Sequence, residues 1–110
     1  MAGQLTTHAL DTVIGGGAAG MRVELKRDGA VIAQVTLDER GRGTLTEELA
    51  GGVYELCFHA AAYHRARGVA LSNPPFLDVI SVSIGIDDAA AHYHVPLLIA
   101  PHGYSAYRGG

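Results

Sequence analysis

The chain has no tryptophan, one cysteine and two phenylalanines among its 110 residues. A lone cysteine, Cys57, can neither close an internal disulfide nor supply a multi-thiolate metal site. That excludes a disulfide-stapled scaffold and a zinc ribbon, and makes a reducing compartment the default. Basic residues are also scarce: Lys and Arg total 8 against 11 Asp and Glu, for a formal charge of −3. With no basic cluster to neutralise phosphates, nucleic acid and anionic membranes are poor partners. No apolar run approaches the roughly 18 residues of a membrane span. The segment Met1–His8 lacks the basic-then-apolar order of a cleaved export signal, so a soluble, cytoplasmic protein is expected.

What is present suits one small β domain. Hydrophobic residues make up 48% and charged residues 17%, enough apolar surface for a core and too little charge for disorder. Two domains would leave each half too small to bury a stable core, so residues 1–110 are expected to form one. The 15 glycines punctuate short apolar runs, which leans the composition toward all-β.

Gln4–Leu10 is β-permissive and ends before Gly15-Gly16-Gly17, expected to be loop. Met21–Lys26 alternates strictly, with Met21, Val23 and Leu25 opposite Arg22, Glu24 and Lys26. Asp28-Gly29 then marks a tight hairpin, and Ala30–Leu37 is its return strand. Asp38–Gly43 places Arg40 and Arg42 on a connection or the start of a short edge strand. Val53–Phe58 reads as a strand. Ala60–Arg67 has no β-branched residue and stops at Gly68, the pattern of a short helix with a glycine stop. Asn73-Pro74-Pro75 forces an extended or turning segment, and strands follow at Leu77–Ile86, His92–Ile99 and Tyr104–Tyr107. Seven or eight short strands with one brief helix predict a two-sheet antiparallel sandwich.

Six histidines are many for this length. In His92-Tyr93-His94-Val95-Pro96-Leu97-Leu98 a period of two puts His92, His94 and Pro96 on one face, opposite Tyr93, Val95 and Leu97. Three readings fit that polar face. It can be a solvated row without a role. Two imidazoles at i and i+2, joined by His8, can chelate a metal, although no Asp or Glu neighbours the pair. Or neutral imidazoles can divide water activation and proton delivery at neutral pH, with an arginine fork, Arg42 or Arg108, holding an anionic, carbonyl-rich substrate. Cys57, between Leu56 and Phe58, reads as buried and inert. The serines lie in no Gly-x-Ser-x-Gly elbow, which leaves nucleophilic serine catalysis unsupported.

Leu5-Thr6-Thr7-His8-Ala9-Leu10-Asp11, the Gly41-Arg42 step, His92-Tyr93-His94-Val95-Pro96-Leu97-Leu98 and Gly103-Tyr104-Ser105-Ala106-Tyr107-Arg108-Gly109 together resemble the 5-hydroxyisourate hydrolase family, the transthyretin-related proteins. The resemblance implies a transthyretin-like sandwich of two four-stranded antiparallel sheets with one short helix, assembled as a homotetramer with active sites between dimers. It implies hydrolytic ring opening of 5-hydroxyisourate on the way to allantoin, with no metal or organic cofactor. Carried over residue by residue, His8, Arg42 and His94 would be catalytic, and His8, Arg42, Tyr107 and Arg108 would bind substrate. The chain departs from the family pattern at Gly110, where serine is usual, and at Gly17, where proline is common. It departs again in a longer Asp38–Arg42 turn and at Asn73-Pro74-Pro75. The alternative is a non-catalytic transthyretin-like module that binds an anionic aromatic ligand.

Overall fold

A computed structural model describes residues 2–110. In chain order the elements are β1 (Gln4–Asp11), β2 (Gly16–Gly17), β3 (Arg22–Arg27), β4 (Ala30–Thr36), β5 (Arg42–Thr46), β6 (Gly52–His59), α1 (Ala60–Ala66), β7 (Val79–Ile86), β8 (His92–Ala100) and β9 (Gly103–Ala106). They form two sheets, one ordered β4-β3-β6-β7 and the other β2-β1-β8-β9 with β5 also paired to β1. The two-sheet sandwich with one short helix matches the expectation from sequence.

Two details differ. Gly16–Gly17, expected to be loop, adds a two-residue strand against Leu10 and Asp11, while β5 pairs with Leu5–His8 further along the same strand. Two short strands therefore share the edge of β1 opposite β8, and a sheet expected to hold four strands holds five. The sheet that contains β1 is also mixed, because β1 and β8 run parallel over eight residue pairs. Such a pair needs a long crossover, and here the intervening chain builds the β4-β3-β6-β7 sheet on its way.

Alternation explains the layering. In β1, Leu5, Thr7, Ala9 and Asp11 are buried while Thr6, His8 and Leu10 are half-buried on the other face. Val23 and Leu25 of β3, Leu56 and Phe58 of β6, and Leu97 and Ile99 of β8 complete the core, each fully shielded from solvent. Burying side chains of this size contributes roughly 1.5–3 kcal/mol apiece. The Asp28-Gly29 hairpin forms as expected, with both residues at positive φ, 52° and 79°. Those are the left-handed values that match the twist of the flanking strands.

The helix ends at Ala66, one residue before the expected Arg67, which caps it ahead of Gly68 at φ 82°. Its buried face carries Ala60, Ala61, Tyr63 and His64. Tyr63 donates its hydroxyl to the Asp11 carboxylate at 2.9 Å, tying the helix to the end of β1. Burial, reinforced by Asp11, pushes the Tyr63 hydroxyl up to about 12, so it remains a donor. Among the described residues no helix is long and apolar enough to cross a membrane.

Candidate active site

Strand register assembles the site. In the β1–β5 pair His8 stands opposite Arg42 and Thr6 opposite Thr44. In the β1–β8 pair Thr6 stands opposite His94. Directly opposed residues share a face of the sheet, so these side chains project from the outer face of the mixed sheet, away from the core. They border an open hollow of about 550 Å³ lined by Thr6, Asp38, Arg42, Thr44, His92 and His94, with Gly110 at its margin. His8 stands beside it, its ring centroid 6.4 Å from that of His94.

Hydrogen bonds orient the imidazoles. The Nε2 of His8 lies 2.9 Å from the Arg40 carbonyl oxygen. A carbonyl only accepts, so Nε2 carries the proton, and in the neutral ring Nδ1 keeps its lone pair. His94 Nδ1 lies 2.7 Å from the Thr6 hydroxyl, which directs its other nitrogen elsewhere. The same hydroxyl lies 2.8 Å from His92 Nε2. Burial lowers the His94 pKa from the ordinary imidazole value, and His8, His92 and Arg42 lower it further. The ring is thereby held neutral near pH 7, as a general base requires.

Arg42 is presented by its loop. One carboxylate oxygen of Asp38 accepts the backbone N–H groups of Arg40 and Arg42 at 2.9 and 3.0 Å. Those two bonds hold the Asp38 carboxyl below the usual range, which keeps it an acceptor. Among the described residues Arg42 joins no ion pair, so its guanidinium remains available to an anion or a polarised carbonyl. Two glycines accommodate the turn. A Cβ on Gly17 would sit 2.1 Å from the Arg40 carbonyl oxygen, and one on Gly41 would sit 2.4 Å from the Ala9 carbonyl oxygen. Gly17 and the Asp38–Arg42 turn are therefore coupled, since the loop occupies the space a side chain at 17 would need. The carbonyl that packs there is the one that holds His8.

His8, Arg42 and His94 are thus brought together, whereas Tyr107 and Arg108 are not. Both line a second hollow, of about 510 Å³, at the open mouth between β7 and β9, together with Tyr93, Val95, Val82 and Ile84. The Arg108 guanidinium stacks 4.1 Å above the Tyr93 ring. Tyr107 and Arg108 follow the end of β9 at Ala106, and within one chain they line this second hollow rather than the one that the histidines border. From this tail Gly110 reaches the first hollow, and Gly109 packs against His94. The Gly109 N–H donates to the His94 carbonyl at 2.7 Å, and a Cβ at 109 would approach the His94 ring to 2.7 Å. Thr6 and Asp38 belong to the site without a mark in the sequence reading, and His92, read there as the partner of His94 on one polar face, belongs to it as well. Parity carried the signal for Thr6, two residues before His8, and for His92, two before His94. Among the described residues no three of His, Cys, Asp and Glu gather as a metal-ligand set. Cys57 is buried in the other sheet, its sulfur 3.8 Å from the Ser81 hydroxyl.

The HIUase/Transthyretin family profile matches residues 5–109. The chain is 48% identical to 5-hydroxyisourate hydrolase 2 of Rhizobium meliloti over 115 aligned residues, covering 97% of this chain and 96% of that protein. The crystal structure of an (S)-allantoin synthase superposes with a TM-score of 0.89 at 36% identity, covering 99% of this chain and 44% of that one. The 5-hydroxyisourate hydrolase of Klebsiella pneumoniae gives 0.85 at 33% identity, covering 97% and 99%. With a family profile spanning nearly its whole length and relatives of this similarity, the chain belongs to the HIUase/Transthyretin family.

Proposed function

We propose that the protein hydrolyses 5-hydroxyisourate, opening its six-membered ring to 2-oxo-4-hydroxy-4-carboxy-5-ureidoimidazoline in the degradation of urate to allantoin. The observation that carries this reading is the meeting of His8, Arg42 and His94 on one hollow in a chain of this family.

Each residue has a role that follows from its surroundings. His94, kept neutral by burial and by its cationic or ionisable neighbours, takes a proton from water. His8 donates through Nε2 to Arg40, so its bare Nδ1 accepts a hydrogen bond from the same water and aims it. Arg42 stabilises the negative charge that develops on the attacked carbonyl oxygen. His94 then returns its proton to the departing ring nitrogen. Every step uses side chains of this chain alone, in keeping with hydrolysis that needs no metal or organic cofactor.

The family assembly is part of the proposal. Residues 1–110 act as one domain in a homotetramer, a dimer of dimers. The edge strands β7 and β9, with Val79, Tyr104 and Tyr107 exposed beside them, are the surfaces that favour it. In that assembly Tyr107 and Arg108 would approach substrate from the subunit boundary. A reducing cytoplasm suits the unpaired Cys57. The test is the ultraviolet decay of 5-hydroxyisourate generated in situ from urate by uricase, with the protein in chelator. Acceleration supports the hydrolase. Binding of the compound with no change in its decay would favour the carrier-like module instead.

A further inference from the structure

Between the two histidines of His92-Tyr93-His94 stands one hydroxyl. Thr6 Oγ1 lies 2.7 Å from His94 Nδ1 and 2.8 Å from His92 Nε2. A hydroxyl has one proton and two lone pairs, so it can donate to only one ring and must accept from the other if both bonds are to form. The arrangement connects two compartments. His92 is exposed and borders both the hollow that holds His94 and a separate one of about 280 Å³ lined by Gly3, Gln4, Glu47 and Ala90.

We infer that Thr6 and His92 form a proton relay behind His94, an inference that rests on the hydrolytic reading for its role in turnover. As His94 Nε2 takes a proton from water, His94 Nδ1–H passes its own to Thr6 Oγ1. The Thr6 hydroxyl proton moves to His92 Nε2. His92, briefly protonated on both nitrogens, gives its Nδ1 proton to solvent on the Glu47 side. One O–H bond of water is broken, one N–H bond is formed on His94, and one proton leaves. When the ring nitrogen departs, His94 Nε2–H protonates it, and the relay runs backward to restore Nδ1–H. His94 therefore changes tautomer and never has to become a cation. That matters because the groups facing it, His8, His92 and Arg42, disfavour a positive ring, and the Asp38 carboxylate in the same hollow is engaged by backbone N–H groups. Thr6 and His92 are positioning and relay residues, since neither touches the water that His8 aims and His94 deprotonates.

Two measurements test this. In the free protein, ¹⁵N imidazole NMR is expected to find His94 protonated at Nδ1 and His92 bare at Nε2, with the complementarity lost in Thr6→Val. Protons on both nitrogens that face Thr6 would overturn the relay whatever the activity. In turnover, Thr6→Val and His92→Gln are expected to lower kcat about 10–100-fold with little change in KM. Thr6→Ser should recover most of the loss, and imidazole buffer should raise kcat of His92→Gln by accepting the proton directly. Circular dichroism confirms that the variants are folded. Wild-type kcat in folded Thr6→Val would overturn the relay, while failure of the wild type to accelerate 5-hydroxyisourate decay would overturn the hydrolase reading and leave the NMR result to decide the relay.

Discussion

Adding a single methyl group at Gly17 is expected to disable the site from outside it. The Cβ of Gly17→Ala would lie 2.1 Å from the Arg40 carbonyl oxygen and 2.2 Å from its carbonyl carbon, both backbone atoms. Restoring an ordinary contact means a retreat from 2.1 to 3.4 Å. The His8–Arg40 bond at 2.9 Å has much less slack than that before it passes the roughly 3.5 Å at which such a bond ceases to hold. The Arg40 carbonyl therefore leaves His8, and His8 loses the contact that fixes its tautomer. Overpacking against backbone costs about 1–3 kcal/mol, and a domain of this size loses about 4–8 °C of Tm per kcal/mol. Gly17→Ala should thus melt at least about 4 °C lower, and its kcat should fall about tenfold or more through mispositioned His8. Differential scanning fluorimetry and the ultraviolet decay assay read both. A variant with wild-type Tm and wild-type kcat would refute the coupling of Gly17, the Asp38–Arg42 loop and His8.

The lowered pKa of His94 sets the acid limb of kcat/KM below pH 6.5, because the ring must be neutral to act as a base; a midpoint at or above 6.5 in a pH profile would contradict it. The same shift affects stability: the unfolded chain binds the His94 proton more readily, so this contribution is present above pH 6.5 and is lost as pH falls from there to the lowered folded value. Tyr63→Phe removes the donor to the buried Asp11 carboxylate and should cost about 1–3 kcal/mol in urea unfolding with KM unaltered. Asp38→Ala frees the Arg40 and Arg42 N–H groups, and kcat/KM should fall about tenfold while Tm stays near that of the wild type, as differential scanning fluorimetry beside the decay assay would show.

Sequence made the fold legible where period and turn chemistry agree. Met21–Lys26, Asp28-Gly29 and His92–Ile99 each carry a local signal strong enough to survive tertiary context. Gly16–Gly17 carries none, since two glycines become a strand only because Leu10 and Asp11 offer them an unpaired edge. The parallel pairing of β1 with β8 joins segments some 80 residues apart and leaves no mark in either. In the site, the face of His94 follows from parity, and the resemblance selects His8 and Arg42 from the candidates that residue chemistry leaves open. Thr6 lay on the same face as His8 and was passed over because a threonine two residues away signals nothing until β8 is placed beside it. Tyr107 and Arg108 show the opposite limit. The resemblance names them as substrate-binding residues, whereas within one chain they follow the end of β9 at Ala106 to the mouth between the sheets.

The most direct measurement compares wild type with His94→Ala in the uricase-coupled ultraviolet decay of 5-hydroxyisourate, in chelator, with both proteins shown to be folded by circular dichroism. Wild type should accelerate the decay, and His94→Ala should lose about 10²–10⁴-fold in kcat, the contribution of one general base. Equal acceleration by the two proteins would contradict the assignment of the chemistry to the outer face of the mixed sheet.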